Sequence, residues 1–378
     1  MSFVEIVSYA MGEGSGYEEG YSAGEASSTA YQDGYTAGET AGYNSGYSTG
    51  YDEGVASVNS VKDLIDARGD VANLFSGITA DSSGTVYQKV SQLLKYSDTE
   101  NISNFNTMFA SVSIEALPDF DKHNANSFGS FLNGNKVIQN VNLKTYNATN
   151  FSFSFNACDA IRSIIIDNND NILFTSMYSM FKGCKKLKSV TFTHTPTVSN
   201  DSLAFEGIFY NAMLDTADGE TFPYIDTSNV KSFSDSFAVA VNTSQHRLLN
   251  IPLYNLSSAA YNTLGTMLTN RLIYEIPNLI LPSMTEYQWN TLFSSKSSTS
   301  YFFKGNTALG KLGFTNIRYK LDISVSTAFT RDTLNEVIGN LADLTGSTAK
   351  TLVIGATNLA KLTEDDIAVA TDKNWTLA

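Results

Sequence analysis

Phe181-Lys182-Gly183-Cys184-Lys185-Lys186-Leu187-Lys188-Ser189-Val190-Thr191-Phe192 decides how this chain is read. It joins two unlike signals: a Phe with a small or compact residue three places on, then a short segment with apolar side chains at alternate positions. The first signal recurs at Phe109 to Val112, Phe131 to Gly134, Phe155 to Cys158, Phe209 to Ala212 and Phe237 to Ala240. With Phe181 in its place, successive Phe lie 22, 24, 26, 28 and 28 residues apart. Another aromatic or Met stands a few residues upstream each time, at Phe105, Phe128, Phe151, Met177, Phe205 and Phe233. The alternating segments are Val141 to Leu143, Ile164 to Ile166 and Val190 to Phe192. Weaker copies follow at Met267-Leu268 with Leu279 to Leu281, and at Leu292-Phe293 with Tyr301 to Phe303.

A unit of this length cannot bury its apolar face alone, so units must stack and share a core. The expected fold is an α/β repeat solenoid of irregular leucine-rich-repeat type over residues 101–325, with a last repeat and cap over 326–378. Each unit supplies a turn or short helix presenting Phe and a short strand presenting alternate apolar residues. The small residue after each Phe is expected where neighbouring units come closest.

Upstream, Gly16 to Gly54 reads Gly-Tyr-x-x-Gly, interrupted once near Ser27 to Ala30. A four-residue period is close to one helical turn, so Gly and Tyr form adjacent stripes on a helix. Each Gly costs about 1 kcal/mol relative to Ala, so such a helix needs a partner packed on its Gly stripe. Residues 1–56 are therefore expected to be a helical stalk or tail for anchoring or oligomerisation. Its assembly interface is Gly16, Tyr17, Gly20, Tyr21, Gly34, Tyr35, Gly42, Tyr43, Gly46, Tyr47, Gly50 and Tyr51; a flexible Tyr-rich tail is the alternative. Residues 57–100 read as a helical collar, with Val58, Val61, Leu64 and Ile65 at helical spacing and Val86, Val90, Leu93 and Leu94 repeating it. At the other end, Thr330 is placed to cap a helix carrying Leu334, Val337 and Ile338. Thr351 to Ile354 reads as a strand, and Thr363-Glu364-Asp365-Asp366 as a helix start.

A net charge of −14 argues against nucleic acid and against an anionic membrane surface. No run of about 18 apolar residues is present, so no membrane insertion is expected. Met1-Ser2-Phe3-Val4-Glu5 has no basic region ahead of an apolar stretch, so no secretory signal is expected.

The stretch 181–192, after Tyr178-Ser179-Met180, resembles a unit of the BspA-type leucine-rich repeat. Ile225-Asp226-Thr227-Ser228-Asn229-Val230, continuing to Phe237, is similar to the consensus of a related bacterial surface-protein branch. The ending from Leu362 to Ala378 is similar to the last unit of repeat proteins encoded by bacteriophages of gut bacteria. Gly-Tyr tracts ahead of a repeat body also resemble phage virion proteins. The resemblance implies a non-enzymatic virion fibre or appendage, on head or tail, that presents its repeats to a bacterial surface polysaccharide or protein. It also implies a homotrimer, as phage fibres commonly are, joined to other virion proteins through the N-terminal tract. A BspA-like adhesin of the bacterial cell surface and a polysaccharide-degrading spike are the alternatives. The adhesin requires a leader or wall anchor; the spike requires two carboxylates converging in a groove.

No residue set points to catalysis, a metal or a cofactor. Cys158 and Cys184 share a repeat position and read as small buried residues, with Gly134 and Ala212 as equivalents; a disulfide is the alternative. His123, His194 and His246 lie far apart, without a nucleophile-elbow or cysteine-protease context. Asp119/Asp121 read as loop residues, Asp365/Asp366 as a helix start, and Asp167 to Asn171 as a turn between units rather than a calcium loop.

Overall fold

The computed structural model describes residues 102–117, 124–201, 203–213, 223–240, 247–250, 261–276, 284–295, 298 and 301–378. The Gly-Tyr tract, with the twelve Gly and Tyr of the expected interface, and the collar lie outside the described residues. From Ile102 the chain runs in layers, each placed on the next in parallel. Asn104, Ser127, Asn150 and Ser176 form successive parallel bridges, spaced by 23, 23 and 26 residues. Strand β1 (Asn140–Tyr146) pairs with β2 (Ser163–Asn168), and β2 with β4 (Ser189–Phe192), while β3 (Leu173–Phe174) pairs with β5 (Thr197–Val198). The register sets Val141, Ile164 and Val190 in one inward row and Leu143, Ile166 and Phe192 in the next, as alternation requires.

Between the strands each layer folds as consecutive turns. Phe105 O accepts from Met108 N, Thr107 O from Ala110 N and Phe109 O from Val112 N. Thr107 and Ser111 have φ of 55° and 60°, the left-handed third residue of a type II turn. Ser130, Phe153, Ser179, Gly207 and Asp235 repeat the first such position; Gly134, Ala157, Gly183 and Asn211 repeat the second. Side chains begin the turns: Asn104 Oδ1 accepts from Asn106 N at 2.9 Å and Asn150 Oδ1 from Ser152 N at 3.1 Å, the local bonding by which Asn draws backbone out of helices.

The interlayer bonds from Phe128 N to Asn150 O, Leu132 N to Ser154 O and Gly134 N to Asn156 O fix the register. One inner column is Phe105, Phe128, Phe151, Met177, Phe205 and Phe233, every member fully buried. In a second column, Phe155 stacks on Phe181 at 5.7 Å, Phe181 on Phe209 at 5.1 Å and Phe209 on Phe237 at 5.7 Å. Phe131, however, is not in register with Phe155; Leu132 is. Phe131 sits one place earlier, opposite Ser154, and its ring meets Phe105, Phe109 and Phe128 edge-on. Gly134 therefore aligns with Ala157 and Gly183, not with the cysteines. The close approach belongs to that glycine column: a Cβ on Gly183 would stand 3.4 Å from Ala157 Cα.

The α/β repeat solenoid expected from the sequence is corrected. The described residues form four separate sheets of two or three short parallel strands, and no α-helix lies among the described residues before Tyr261. The expected helical element is absent from these units because left-handed residues twice per turn run break the i to i−4 ladder. The Asn and Ser bonds to nearby amides hold the chain in turns instead.

The remainder adds a third sheet, β6 (Arg247–Asn250), β7 (Leu272–Ile276) and β8 (Lys311–Leu312), flanked by helices α1 (Tyr261–Leu264) and α2 (Glu286–Phe293). A fourth sheet orders β9 (Leu321–Asp322), β10 (Lys350–Val353) and β11 (Trp375–Leu377) with β10 central. Helices α3 (Arg331–Gly339), α4 (Ala356–Leu359) and α5 (Glu364–Asp372) accompany it. Thr330 caps α3 and Thr363 caps α5, each with a reciprocal capping box. Lys373 Nζ donates to the carbonyls of Ile338, Gly339 and Leu341 at the α3 C-terminus, where a cation is favoured. One apolar cluster runs from Ile102 to Trp375.

Candidate binding surface

Since alternate strand residues fill the core, the others form outward rows. β1, β2 and β4 present Asn140, Ser163 and Ser189 in one row, then Asn142, Ile165 and Thr191. Ser163 Oγ donates to Asn140 Oδ1 at 2.7 Å, and Ile165 is 43% exposed between two polar neighbours. Neighbouring members stand about 4.8 Å apart, the spacing of paired strands. Beside this face opens a cleft of about 630 Å³ lined by Glu115, Lys136, Val137, Gln139, Asn140 and Ala160. On the turn side, half-buried aromatics pack against neighbours: Phe153 meets Tyr178 edge-on at 5.0 Å, and Lys182 Nζ lies 5.2 Å from the Tyr210 ring centre.

The groups that might have carried chemistry are absorbed into the fold. Cys158 and Cys184 are free thiols, fully buried in register. Each donates back one layer, Cys158 Sγ to Leu132 O at 3.2 Å and Cys184 Sγ to Phe155 O at 2.9 Å. Burial, with Cys158 beside it, pushes the Cys184 thiol well above its ordinary pKa, which keeps it a protonated donor rather than a thiolate. Asn135 fills the same column a layer earlier, its Nδ2 donating to the carbonyls of Val112 and Ile114. Arg271 fills it later, fully buried: Nε donates to Phe237 O at 2.7 Å, Nη1 to Met213 O at 3.1 Å and Nη2 to Ala212 O at 2.8 Å. Burial lowers the Arg271 pKa to about 9, so the guanidinium stays charged at neutral pH. The column thus supplies side-chain donors to inward carbonyls, among them Leu132 O and Phe155 O, which also accept turn bonds from Asn135 N and Cys158 N. Sequence reading missed Arg271, although it stands three residues after Leu268, where the repeat expects a small side chain.

Asp366 is equally occupied. Oδ2 accepts from Arg331 Nε at 2.7 Å and from Thr363 N at 2.8 Å, and Oδ1 from Arg331 Nη2 at 3.1 Å and Asn335 Nδ2 at 2.8 Å. The Arg331 bonds, then the Thr363 amide, hold its carboxyl far below the ordinary range. Asp167 to Asn171 joins layers: buried Asn168 donates to His194 O at 2.9 Å, and Asn169 to Asn147 Oδ1 at 2.7 Å. His194 is exposed, with Nδ1 3.9 Å from Asp170 Oδ1. Asp119, Asp121, His123 and His246 lie outside the described residues. Among the described residues no cluster of three or more His, Cys, Asp or Glu could hold a metal, and no helix is long and apolar enough to cross a membrane.

No protein-family model, curated protein or solved structure matches the chain.

Proposed function

We propose that this chain is a non-enzymatic attachment or structural protein of a bacteriophage virion. Residues 1–56 anchor or oligomerise it, and the layered body from residue 102 onward is offered to the bacterial surface. The observation carrying this reading is the division of labour along the chain. A Gly-Tyr tract suited to close helix association precedes a body whose thiols and buried arginine bond neighbouring layers and whose Asp366 joins two helices. The body's outward rows of Asn, Ser and Thr offer the chemistry of extended hydrogen-bonding contact with a polymer. The resemblance of 181–192, 225–237 and 362–378 to surface and phage repeat proteins points the same way.

The test is mass in solution, by light scattering, of the full chain and of a chain beginning at Val55. A trimer that falls to monomer without the tract supports the fibre reading. A monomer in both removes self-association through Gly16 to Tyr51, and with it the fibre.

A further inference from the structure

Net charge misrepresents one part of this molecule. Across the whole chain 38 Asp and Glu outnumber 24 Lys and Arg, yet from Lys136 to Lys188 seven Lys and Arg face only Asp159, Asp167 and Asp170. The layer register gathers most of them on one corner. With Asn135, Cys158 and Cys184 in one column and Asn140, Ser163 and Ser189 in another, the residues between fall into exposed rows. Lys136, Asp159 and Lys185 form one, Val137, Ala160 and Lys186 a second, and Gln139, Arg162 and Lys188 a third. The bonds from Arg162 N to Gln139 O and from Lys188 N to Arg162 O anchor that third row. Arg162, Lys185, Lys186 and Lys188 are all exposed.

Asp159 is bonded to Lys136 at 2.8 Å, while Arg162, Lys185 and Lys186 make no ion pair among the described residues. Arg162 and Lys188 lie directly in register, about one strand spacing apart, so cationic side chains stand on adjacent layers. The flanks narrow the choice of polyanion. The rows Asn140–Ser163–Ser189 and Asn142–Ile165–Thr191 and the cleft's Gln139 and Asn140 offer amides and hydroxyls for sugar hydroxyls, with Glu115 the one carboxylate among the cleft's lining residues. Val137 and Ile165, 36% and 43% exposed, offer apolar contact for the C–H faces of a sugar ring. None of these rows holds an aromatic ring on which a nucleobase would stack.

We infer that this corner, Lys136, Arg162, Lys185, Lys186 and Lys188 with the adjoining cleft, binds an acidic polysaccharide through its carboxylates. That the polymer belongs to a bacterial surface rests on the attachment reading; the corner's chemistry does not. The experiment measures binding of the full chain to polygalacturonate, to neutral dextran and to single-stranded oligothymidylate by biolayer interferometry. It compares the triple variant R162E/K185E/K188E with K231E/K304E/K320E, which makes the same change of net charge on other exposed lysines. Amide exchange confirms that both variants keep their interlayer bonds. The expected result is salt-sensitive binding to polygalacturonate but not dextran, weakened at least about tenfold by the corner variant and under about threefold by the control. Absence of polygalacturonate binding, equal loss in both variants, or equally tight oligothymidylate binding would each overturn the assignment. Binding of the same proteins to whole encapsulated bacteria separates the two claims. Adhesion unchanged in the corner variant leaves attachment standing without this corner; polygalacturonate binding without any adhesion leaves the corner standing without attachment.

Discussion

Phe181 offers the sharpest test of how the layers hold together. It is fully buried, with Phe155 5.7 Å away at 8° on one side and Phe209 5.1 Å away at 18° on the other. Truncation to Ala should cost about 3–5 kcal/mol. Phe181→Leu is more informative, because the same column already carries leucine at Leu132 and Leu268, so the shape is tolerated. It keeps most of the buried area and removes two ring contacts, a loss of about 1–3 kcal/mol at about 0.5–1.5 per aromatic pair. The assay is hydrogen exchange of two interlayer amides that flank the ring, Ala157 N bonded to Lys182 O and Gly183 N bonded to Tyr210 O. Exchange should quicken about tenfold per 1.4 kcal/mol. A double-mutant cycle of F181L with F209L should show coupling of about 0.5–1.5 kcal/mol, since both remove the same contact. Additivity within about 0.3 kcal/mol would refute the claim that ring stacking, rather than area alone, joins the layers.

Ala157 and Gly183 share a left-handed position in adjacent layers, with φ of 57° and 75°. Ala157→Gly should stabilise by about 0.5–1 kcal/mol, as relief of strain exceeds the entropy Gly loses on folding. Gly183→Ala should destabilise by about 1 kcal/mol or more, because a side chain at φ 75° is strained although its Cβ would meet Ala157 only at contact distance; urea midpoints at constant slope measure both. Arg271→Ala should cost about 3–5 kcal/mol by removing the donor to buried carbonyls of two layers, and Arg271→Met less, because the stem volume and no buried charge remain; thermal unfolding reads the difference. Asp366 has a folded pKa below its unfolded value, so its contribution is full above about pH 4 and fades as pH falls through the lower folded value. Corrected for the intrinsic pH dependence of amide exchange, protection of helices α3 and α5 should therefore be lower at pH 2 to 3 than at pH 5, and lower at neutral pH in Asp366→Asn than in the parent chain.

What could be read ahead of the structure was local. Val141 to Leu143 and Ile164 to Ile166 gave their faces away because a two-residue period admits only one inward set. Thr330 and Thr363 announced helix starts because a cap and its partner lie within one turn. The Phe spacing revealed stacking columns but could not separate helix from turns, since Phe105 and Phe109 four apart satisfy both. Slippage by one at Phe131 escaped notice because the more conspicuous Phe, not Leu132, drew the alignment. The basic corner was hidden for another reason: charge was summed over the chain, whereas Arg162 meets Lys188 only once the layers are in register.

The interlayer bonds also set how the body would behave under load. They point along the direction in which layers are added, so tension applied from residue 102 to residue 240 pulls on them end to end. Each layer is held mainly by its two neighbours, so it should give way alone rather than with the whole. Register mates are 23 to 28 residues apart from Phe105 to Phe233, so each release would pay out about 75–95 Å of chain. A tether built this way lengthens in steps and keeps its remaining layers intact.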